Sequence, residues 1–214
     1  MVPQAPNSPP RHRRSRADIR ERLLDSALVE FGAKGFDGAS TRAIARRADA
    51  HQPQINYHFA SKEALWFAAV DHLFELFGQA MEGIVYPEPD DLSAVADALA
   101  EVIRRFVRFT AAHPELHRIM MHEGTETSER LTWVIARHVR PFYGALLRVW
   151  GRLREAGIAA PIDDAMVHHV LTGAVSFPFV SAPAVRLLTG TEPTDPAWIE
   201  RHADGVVATL LPGR

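Results

Sequence analysis

Cysteine is absent from the 214-residue chain. This absence excludes disulfide scaffolds, thiolate zinc sites, iron–sulfur clusters and cysteine nucleophiles. No apolar run approaches the roughly 20 residues that a membrane-spanning helix needs, and the first residues lack the apolar region of a secretory signal. We therefore expect a cytoplasmic protein that has no membrane partner.

Catalytic signatures are missing as well. The chain has no Gly-x-Ser-x-Gly turn, no Walker lysine loop, no dinucleotide-binding glycine pattern and no His-Glu-x-x-His. Eleven histidines suggest a metal site, but Pro114 makes His113 a candidate helix cap, and the spacing provides no definite third ligand. The candidate ligands lie in two regions: His113, His117, His122, Glu123, His168 and His169. We expect no enzyme, no cofactor and no metal.

The charges are unevenly distributed along the chain. Residues 1–60 contain ten Lys and Arg against six Asp and Glu, a balance of +4, whereas the remaining residues contain 14 against 20, a balance of −6. Residues 1–16, rich in proline and arginine, form a predicted disordered basic arm. This polarity favours contact between the first part of the chain and a polyanion. An uneven solvated surface and a solvated tail are the alternatives.

Two helices are predicted directly after the arm. Apolar residues recur every three or four positions over residues 17–34, which indicates an amphipathic helix that ends at Lys34 and Gly35. Ser40 and Thr41 are candidate N-caps for a short second helix. The first helix therefore has one apolar side on which the second can pack.

The third predicted helix, residues 52–59, carries unusual polar side chains. Ile55 and Phe59 are four residues apart and can anchor it to the first two helices. Gln and Asn can make paired hydrogen bonds to adenine in the major groove, and a short helix after a tight turn delivers such side chains. A polar, solvent-facing helix is the alternative. The polar side chains are His51, Gln52, Gln54, Asn56 and His58.

Residues 23–66 resemble the DNA-binding domain of the tetracycline-repressor-like (TetR) family of transcriptional regulators. The stretch reads LLDSALVEFGAKGFDGASTRAIARRADAHQPQINYHFASKEALW, and its most diagnostic part is YHF followed by SKEAL. The resemblance implies a helix-turn-helix domain over residues 17–62. Asp49 stands in the turn where the family usually has glycine; Asp tolerates a positive φ, so the turn can form. Pro53 falls in the first turn of the third helix, where a missing N–H costs little.

The TetR resemblance also implies roles for individual residues. Hydroxyl, phenol and ammonium groups suit phosphate oxygens, whereas amides suit base edges. The positions that hold phosphates are Thr41, Tyr57 and Lys62. The positions that face the major groove are His51, Gln52 and Gln54. At the edge of the groove, or as a further contact to the DNA backbone, we expect Asn56, His58 and Arg42. Arg46 and Arg47 are interpreted as solvent-facing charges.

Residues 63–214 have the pattern of successive helices, without strand alternation or internal repeats. The pattern predicts about nine helices in the whole chain, with a break at residues 86–91. Pro141 should kink a long seventh helix that begins at Ser128. We therefore predict an all-α fold in which the N-terminal three-helix domain joins a C-terminal helical bundle.

In the TetR family such a body encloses a small-molecule pocket and dimerises through its last two long helices. The resemblance therefore implies an unidentified small-molecule effector and a homodimer. Apolar residues of the last two predicted helices offer surface for dimerisation or for packing within the monomer: Val167, Val170, Leu171, Ala174, Val175, Phe179, Trp198, Ile199, Val206 and Leu210. Side chains that suit a pocket, and suit a core equally well, are His117, Met120, Met121, Trp133, Phe142, Trp150, His168, Thr172 and Phe177.

These observations predict a ligand-responsive transcriptional repressor. A dimer would bind a palindromic operator DNA through its helix-turn-helix, and a small molecule would release it. One alternative is an all-α small-molecule-binding or enzymatic protein with a vestigial helix-turn-helix. A second is a nucleoid-type protein without sequence preference, which the base-reading amides disfavour.

Overall fold

The computed structural model describes residues 16–85 and 90–214, with Arg16 described by its backbone only. Every regular element in these ranges is helical, which confirms the predicted all-α fold. The predicted basic arm, apart from the backbone of Arg16, lies outside the described residues. The α-helices are α1 (Arg16–Gly38), α2 (Thr41–Arg47), α3 (Gln52–His58), α4 (Lys62–Ala80), α5 (Leu92–Ala112), α6 (Glu115–Glu123), α7 (Glu129–Val134), α8 (Arg140–Glu155), α9 (Asp164–Val180), α10 (Ala182–Thr189) and α11 (Pro196–Leu210).

Helix α1 is the scaffold of the N-terminal domain. Gly35 has a φ of +67° and interrupts the helix at the predicted place, after which a short turn continues to Gly38. A Cβ at position 35 would also lie 3.2 Å from the Nδ1 atom of His122 on α6. Position 35 therefore favours glycine for its backbone angle, and any other side chain there would also displace the His122 side chain slightly. The buried side of the helix comprises Leu23, Leu24, Ala27, Leu28 and Phe31.

The predicted long seventh helix is interrupted near Pro141. Helices α7 and α8 are joined by a π-helical segment, Ile135–Val139, in which the Arg140 N–H donates to the Ile135 carbonyl, five residues earlier. Proline has no N–H, and its ring clashes with the carbonyl four residues before it in an ordinary α-helix. The wider π turn directly before Pro141 accommodates this conflict, so the expected kink takes the form of a π segment.

Helix α10 was not predicted. It follows α9 directly, has Pro183 in its first turn and ends at Gly190, whose φ is +67°. With α7, the π segment and α8 counted as one unit, the described ranges contain ten helices rather than about nine. Among these, no single helix is long and apolar enough to cross a membrane. Helices α9 and α10 pass that test only as a combined pair, and they are bent by 76°.

The apolar side chains form two cores. The first contains residues from α1 to α4 together with Phe109, Leu116, Ile119 and Val134 from later helices. The second is formed by α5, α8, α9, α11 and the segments next to them. The Phe77 ring of α4 lies 5.1 Å from each of the rings of Phe106, Phe109 and Phe142. The first core therefore extends beyond the predicted domain boundary at residues 62 and 63.

Truncation of Val107 tests the second core. The side chain of Val107 is 0% exposed and that of Val85 is 81% exposed. We expect Val107→Ala to lower the free energy of unfolding by about 2 kcal/mol, because it removes two buried methyl groups and leaves a small cavity. Val85→Ala, the same chemical change at the surface, should alter it by less than about 0.5 kcal/mol. Urea unfolding of both variants is the measurement, and equal losses would contradict the assignment of Val107 to the core.

Candidate DNA-binding surface and effector region

The turn between α2 and α3 has the geometry of a helix-turn-helix. Ser40 caps α2 by accepting the Ala43 N–H on its Oγ atom at 3.4 Å. Asp49 has a φ of +49°, and it is the one non-glycine residue with a positive φ in the described ranges. The prediction that Asp49 adopts a conformation usually reserved for glycine is confirmed. The turn directs α3 away from α2 at this residue.

Helix α3 is anchored on one side and exposed on the other. Ile55 and Phe59 are both buried in the first core, as predicted. The start of α3 is fixed by Gln54, whose Oε1 atom accepts the His51 N–H at 2.8 Å. Tyr57 is 60% exposed, and His51 and Asn56 are exposed as well. The polar side of α3 is therefore available while the apolar side holds the helix in place.

Several predicted DNA contacts already bond to one another or to the scaffold. The Gln52 Nε2 atom donates to the Thr41 Oγ1 atom at 3.1 Å, which joins α2 to α3. Within the described part of the chain, the buried Gln52 Oε1 atom has no hydrogen-bond partner. Lys62 donates from Nζ to the Asp37 carbonyl at 3.2 Å. The rings of Tyr57 and His58 meet edge to face, with centroids 5.1 Å apart.

A surface groove brings residues of α2 and α3 together. Its polar lining consists of Arg42, Arg46, Asp49, His51 and Gln52. Arg46 is exposed, as predicted for a solvent-facing charge, and it also lines this groove beside the predicted contact Arg42. The signal was in the spacing, since residues four apart share one face of a helix. The groove combines guanidinium, imidazole and amide groups, which are the groups that contact phosphates and base edges.

A buried carboxylate of α1, Glu30, supports the start of α2. Glu30 is 4% exposed. Its Oε1 atom accepts from the Lys34 Nζ atom at 2.8 Å and from the Ser40 N–H at 3.3 Å. The Lys34 hydrogen bond lowers the pKa of Glu30, with further lowering from the Ser40 N–H and the nearby cations, against the opposing effect of burial. Glu30 thus ties α1 to the residue that caps α2.

Helix α6 connects the C-terminal helices to α1. A Cβ at Gly32 of α1 would lie 3.0 Å from the Glu115 Cβ atom, so the two helices approach closely there. Near the other end of α6, His122 lies against Gly35. Leu116 and Ile119, also on α6, are buried in the first core. A displacement of α6 would therefore act directly on the helix that carries the DNA-binding surface.

The nine predicted pocket residues do not surround one common space. Trp150 lies in the second core and donates from Nε1 to the Ile162 carbonyl at 3.0 Å. Trp133 packs against the rings of Trp66 and Phe67, and Met120 packs against the first core. Three others are exposed on the described chain: Met121, Phe142 and Phe177.

The remaining three pocket candidates lie where α5, α6, α8 and α9 meet. The His117 ring of α6 is 5.8 Å from the Phe106 ring, and its Nδ1 atom is buried without a hydrogen-bond partner in the described residues. Burial lowers the pKa of His117 to about 4, with a smaller contribution from nearby His168. Burial and then His169 lower the pKa of His168, and the Thr172 Oγ1 atom donates to the His168 carbonyl at 2.8 Å.

The predicted metal-ligand candidates are not assembled either. In the described ranges, no group of three or more His, Asp and Glu side chains is arranged to hold a metal ion. His113 instead lies 3.0 Å from Glu115, between its Nδ1 atom and a carboxylate oxygen, and its ring packs on Phe109.

Two family models match consecutive parts of the chain. Residues 23–69 match the model described as "Bacterial regulatory proteins, tetR family". Residues 95–214 match the C-terminal domain of the "HTH-type transcriptional dual regulator CecR", and this second match covers more than half of the chain. The chain belongs to the TetR family of transcriptional regulators. The resemblance seen in residues 23–66 is thereby confirmed.

Named relatives agree with this membership. The transcriptional repressor NicS of Pseudomonas putida is 27% identical over 156 residues, which cover 70% of this chain and 69% of NicS. The transcriptional regulator RutR of Escherichia coli strain K12 is 23% identical over 206 residues, which cover 94% of this chain and 93% of RutR.

Solved structures show the same fold. AibR, crystallised with isovaleryl coenzyme A and operator DNA, has a TM-score of 0.68 with this chain at 19% identity. The match covers 91% of this chain and 98% of AibR. HlyIIR, a haemolysin II transcriptional regulator, has a TM-score of 0.65 at 21% identity, with 92% of this chain and 99% of HlyIIR covered.

Replacement of Glu30 tests the support beneath α2. Because the pKa of Glu30 is lowered from 4.5 in the folded chain, its charge stabilises the fold above that value, and the effect is lost as the pH falls through the lowered pKa. We expect Glu30→Gln to lower the free energy of unfolding by about 1–3 kcal/mol at pH 7, and by less below pH 4.5. Urea unfolding at several pH values measures this. Glu21→Gln, an exposed change on α1, is the control. If the difference in unfolding free energy between Glu30→Gln and the parent chain stays constant below pH 4.5, the charge of Glu30 does not support α2.

Replacement of His117 tests its burial in the neutral form. The folded chain binds a proton at His117 only near pH 4, whereas the unfolded chain binds it near 6.5. Stability should therefore fall as the pH decreases from 6.5 to 4, by up to about 1.4 kcal/mol per pH unit. His117→Asn should remove this component of the pH dependence in urea unfolding. His122→Asn, at an exposed position of the same helix, should keep it; an unchanged slope in His117→Asn would show that His117 is not buried neutral.

Proposed function

We propose that the protein is a cytoplasmic, homodimeric transcriptional repressor without enzymatic activity, which binds a palindromic operator and is released by a small molecule. The observation that carries the proposal is the anchored α3 with its exposed polar side, which follows the helix-turn-helix turn at Asp49. Membership of the TetR family supports DNA binding. The similarity to NicS, a transcriptional repressor, supports repression rather than activation.

The DNA contacts follow from the exposed groups and their bonds. We assign phosphate contacts to Thr41, Tyr57 and Lys62, and base contacts to His51, Gln52 and Gln54, with Asn56, His58, Arg42 and Arg46 at the margins. The Gln54 amide oxygen is engaged by the His51 N–H, so its Nε2 atom is the one that donates to a base. Gln52 donates to Thr41, so its buried oxygen can accept only after the side chain turns.

A symmetric dimer has support in the exposed side of α9. Met166, Val170 and Phe177 are exposed apolar residues there, and exposed Gly173 lies between them. Their spacing of four, three and four residues places them in one stripe along the helix. Pairing of this stripe with its copy would remove it from water. The dimer must then hold two recognition helices about 34 Å apart, which is one turn of DNA.

The effector region is assigned to the meeting point of α5, α6, α8 and α9, around His117 and His168. A ligand there would contact α6, which also contacts α1 at Gly32 and Gly35. A ligand that binds more tightly to a conformation in which α6 is displaced would lower DNA affinity. The size of this effect cannot exceed the difference between the ligand's affinities for the two conformations. AibR, which has the same fold, was crystallised with both isovaleryl coenzyme A and operator DNA, and this supports a regulator that responds to a ligand.

Titration of the purified protein with DNA tests the proposal. The duplexes are the region upstream of its own gene and a random sequence of equal length, at several salt concentrations. We expect selective binding of the upstream duplex by two chains per site. Weak and equal binding of both duplexes would contradict operator recognition and direct attention to the C-terminal helices.

Two substitutions separate base contacts from phosphate contacts. Gln54→Ala should weaken binding to the upstream duplex by about 1–3 kcal/mol and change binding to the random duplex little. Lys62→Ala should weaken binding to both duplexes and reduce the slope of log affinity against log salt concentration by about 1. The two affinities and their salt dependence are the measurement. Because Gln54→Ala also removes a helix cap, its thermal unfolding is compared with that of the parent chain. Equal effects of both variants on both duplexes would contradict the assignment.

A further inference from the structure

One aromatic ring lies next to two cations from different parts of the chain. The Phe36 ring, in the last turn of α1 beyond Gly35, has the Lys62 Nζ atom 4.8 Å from its centroid. The Arg130 Cζ atom of α7 lies 3.9 Å from the same centroid. The ring also stacks on Phe31, with planes inclined by 12° and centroids 6.1 Å apart. Phe36 therefore connects the C-terminal helices to the lysine at the start of α4.

Arg130 is held firmly on the side of the C-terminal helices. Its Nε atom donates to both carboxylate oxygens of Glu123 at 3.1 Å, and the Ser128 Oγ atom donates to Glu123 Oε2 at 3.2 Å. Glu123 is buried at the end of α6. Because a buried carboxylate needs a compensating cation, Glu123 holds the partly buried guanidinium of Arg130 in a well-defined geometry. The guanidinium thus follows the position of the end of α6.

Lys62 is held on the other side. Its Nζ atom donates to the Asp37 carbonyl while it lies over the Phe36 ring. The ammonium group of lysine is carried on a long flexible side chain, which loses conformational freedom when it binds a phosphate. Contacts that hold the ammonium in place beforehand reduce that loss. The ring of Phe36 supplies one such contact, and Arg130 restricts the position of the ring.

We propose that Phe36 and Arg130 are positioning residues for Lys62. The C-terminal helices would then fix the position of the phosphate-binding ammonium group of Lys62 through the Phe36 ring. The inference rests on the proposed function, because it assumes that Lys62 contacts DNA. It goes further in assigning a function to two residues outside the set of proposed DNA contacts. It also provides a direct connection from the end of α6 to the DNA surface, besides the contact of α6 with α1.

Double-mutant cycles in DNA binding test the proposal. The probe is a random-sequence duplex in a salt series, because phosphate contacts do not depend on sequence. Phe36→Leu keeps an apolar side chain but removes the ring, and we expect it to weaken binding about threefold to tenfold. In the Lys62→Ala background the same change should weaken binding less than about twofold. Arg130→Gln should show the same pattern.

The controls address folding and specificity. Phe36→Tyr keeps the ring and should bind like the parent chain. Arg137→Gln removes a comparable arginine, which pairs with Asp71 at 2.7 Å and lies over the Trp133 ring, and it should act equally with and without Lys62. Since Arg130→Gln leaves Glu123 buried without its cation, Phe36→Leu is the primary variant, and thermal unfolding confirms that each variant is folded.

The outcomes separate this inference from the proposed function. If Lys62→Ala reduces the salt slope but Phe36→Leu weakens binding equally in both backgrounds, the positioning role is wrong and the DNA-binding assignment stands. If Lys62→Ala leaves the slope unchanged in a chain that binds DNA, Lys62 is not a phosphate contact and the inference fails with it. If the parent chain binds neither the random nor the upstream duplex, the proposed function itself fails.

Discussion

The burial of the apolar side of α1 is the interaction on which the other contacts depend. Helices α2 and α4 pack on α1, and α6 approaches it so closely that a Cβ at Gly32 would lie 3.0 Å from the Glu115 Cβ atom. Leu116, Ile119 and Val134 fill the same core as the helix-turn-helix residues. Close-packed interiors transmit displacement rather than absorb it. A displacement of the C-terminal helices is therefore transmitted to the DNA-binding surface.

Two buried carboxylates define the segment between α1 and α2. Glu30 holds the Ser40 N–H from the α1 side, and Glu123 holds Arg130 against Phe36 from the α6 side. Each carboxylate is paired with a cation, as burial requires. These pairs lie on either side of the turn from which α2 starts, so they fix where the helix-turn-helix begins.

Three of the side chains assigned to DNA are already bonded within the free chain. Gln52 bonds to Thr41, Gln54 to the His51 N–H and Lys62 to the Asp37 carbonyl. These bonds hold the side chains in few conformations, which reduces the entropy lost on binding. DNA must replace some of them, above all for Gln52. Affinity at these positions is therefore a difference between two sets of hydrogen bonds.

The sequence by itself determined the features that depend on a few neighbouring residues. The interruption of α1 at Gly35, the positive φ of Asp49, the anchoring of α3 by Ile55 and Phe59, and the interruption before Pro141 all follow from backbone sterics or helical period. The family signature in residues 23–66 is equally local. It was sufficient to identify the DNA-binding class, because phosphates and base edges are the same partners for every such protein.

Only the tertiary structure decided which distant residues meet. The pocket candidates were chosen by size and polarity, yet Trp150 belongs to a core while His117 and His168 lie together. Helix α10 begins directly after α9 without a loop that the pattern could reveal. Phe36, Lys62 and Arg130 are far apart in sequence, and their contact depends on the angle at which α6 and α7 pack on α1. Local sterics cannot specify that angle, because it is set by the simultaneous packing of many side chains from separate helices.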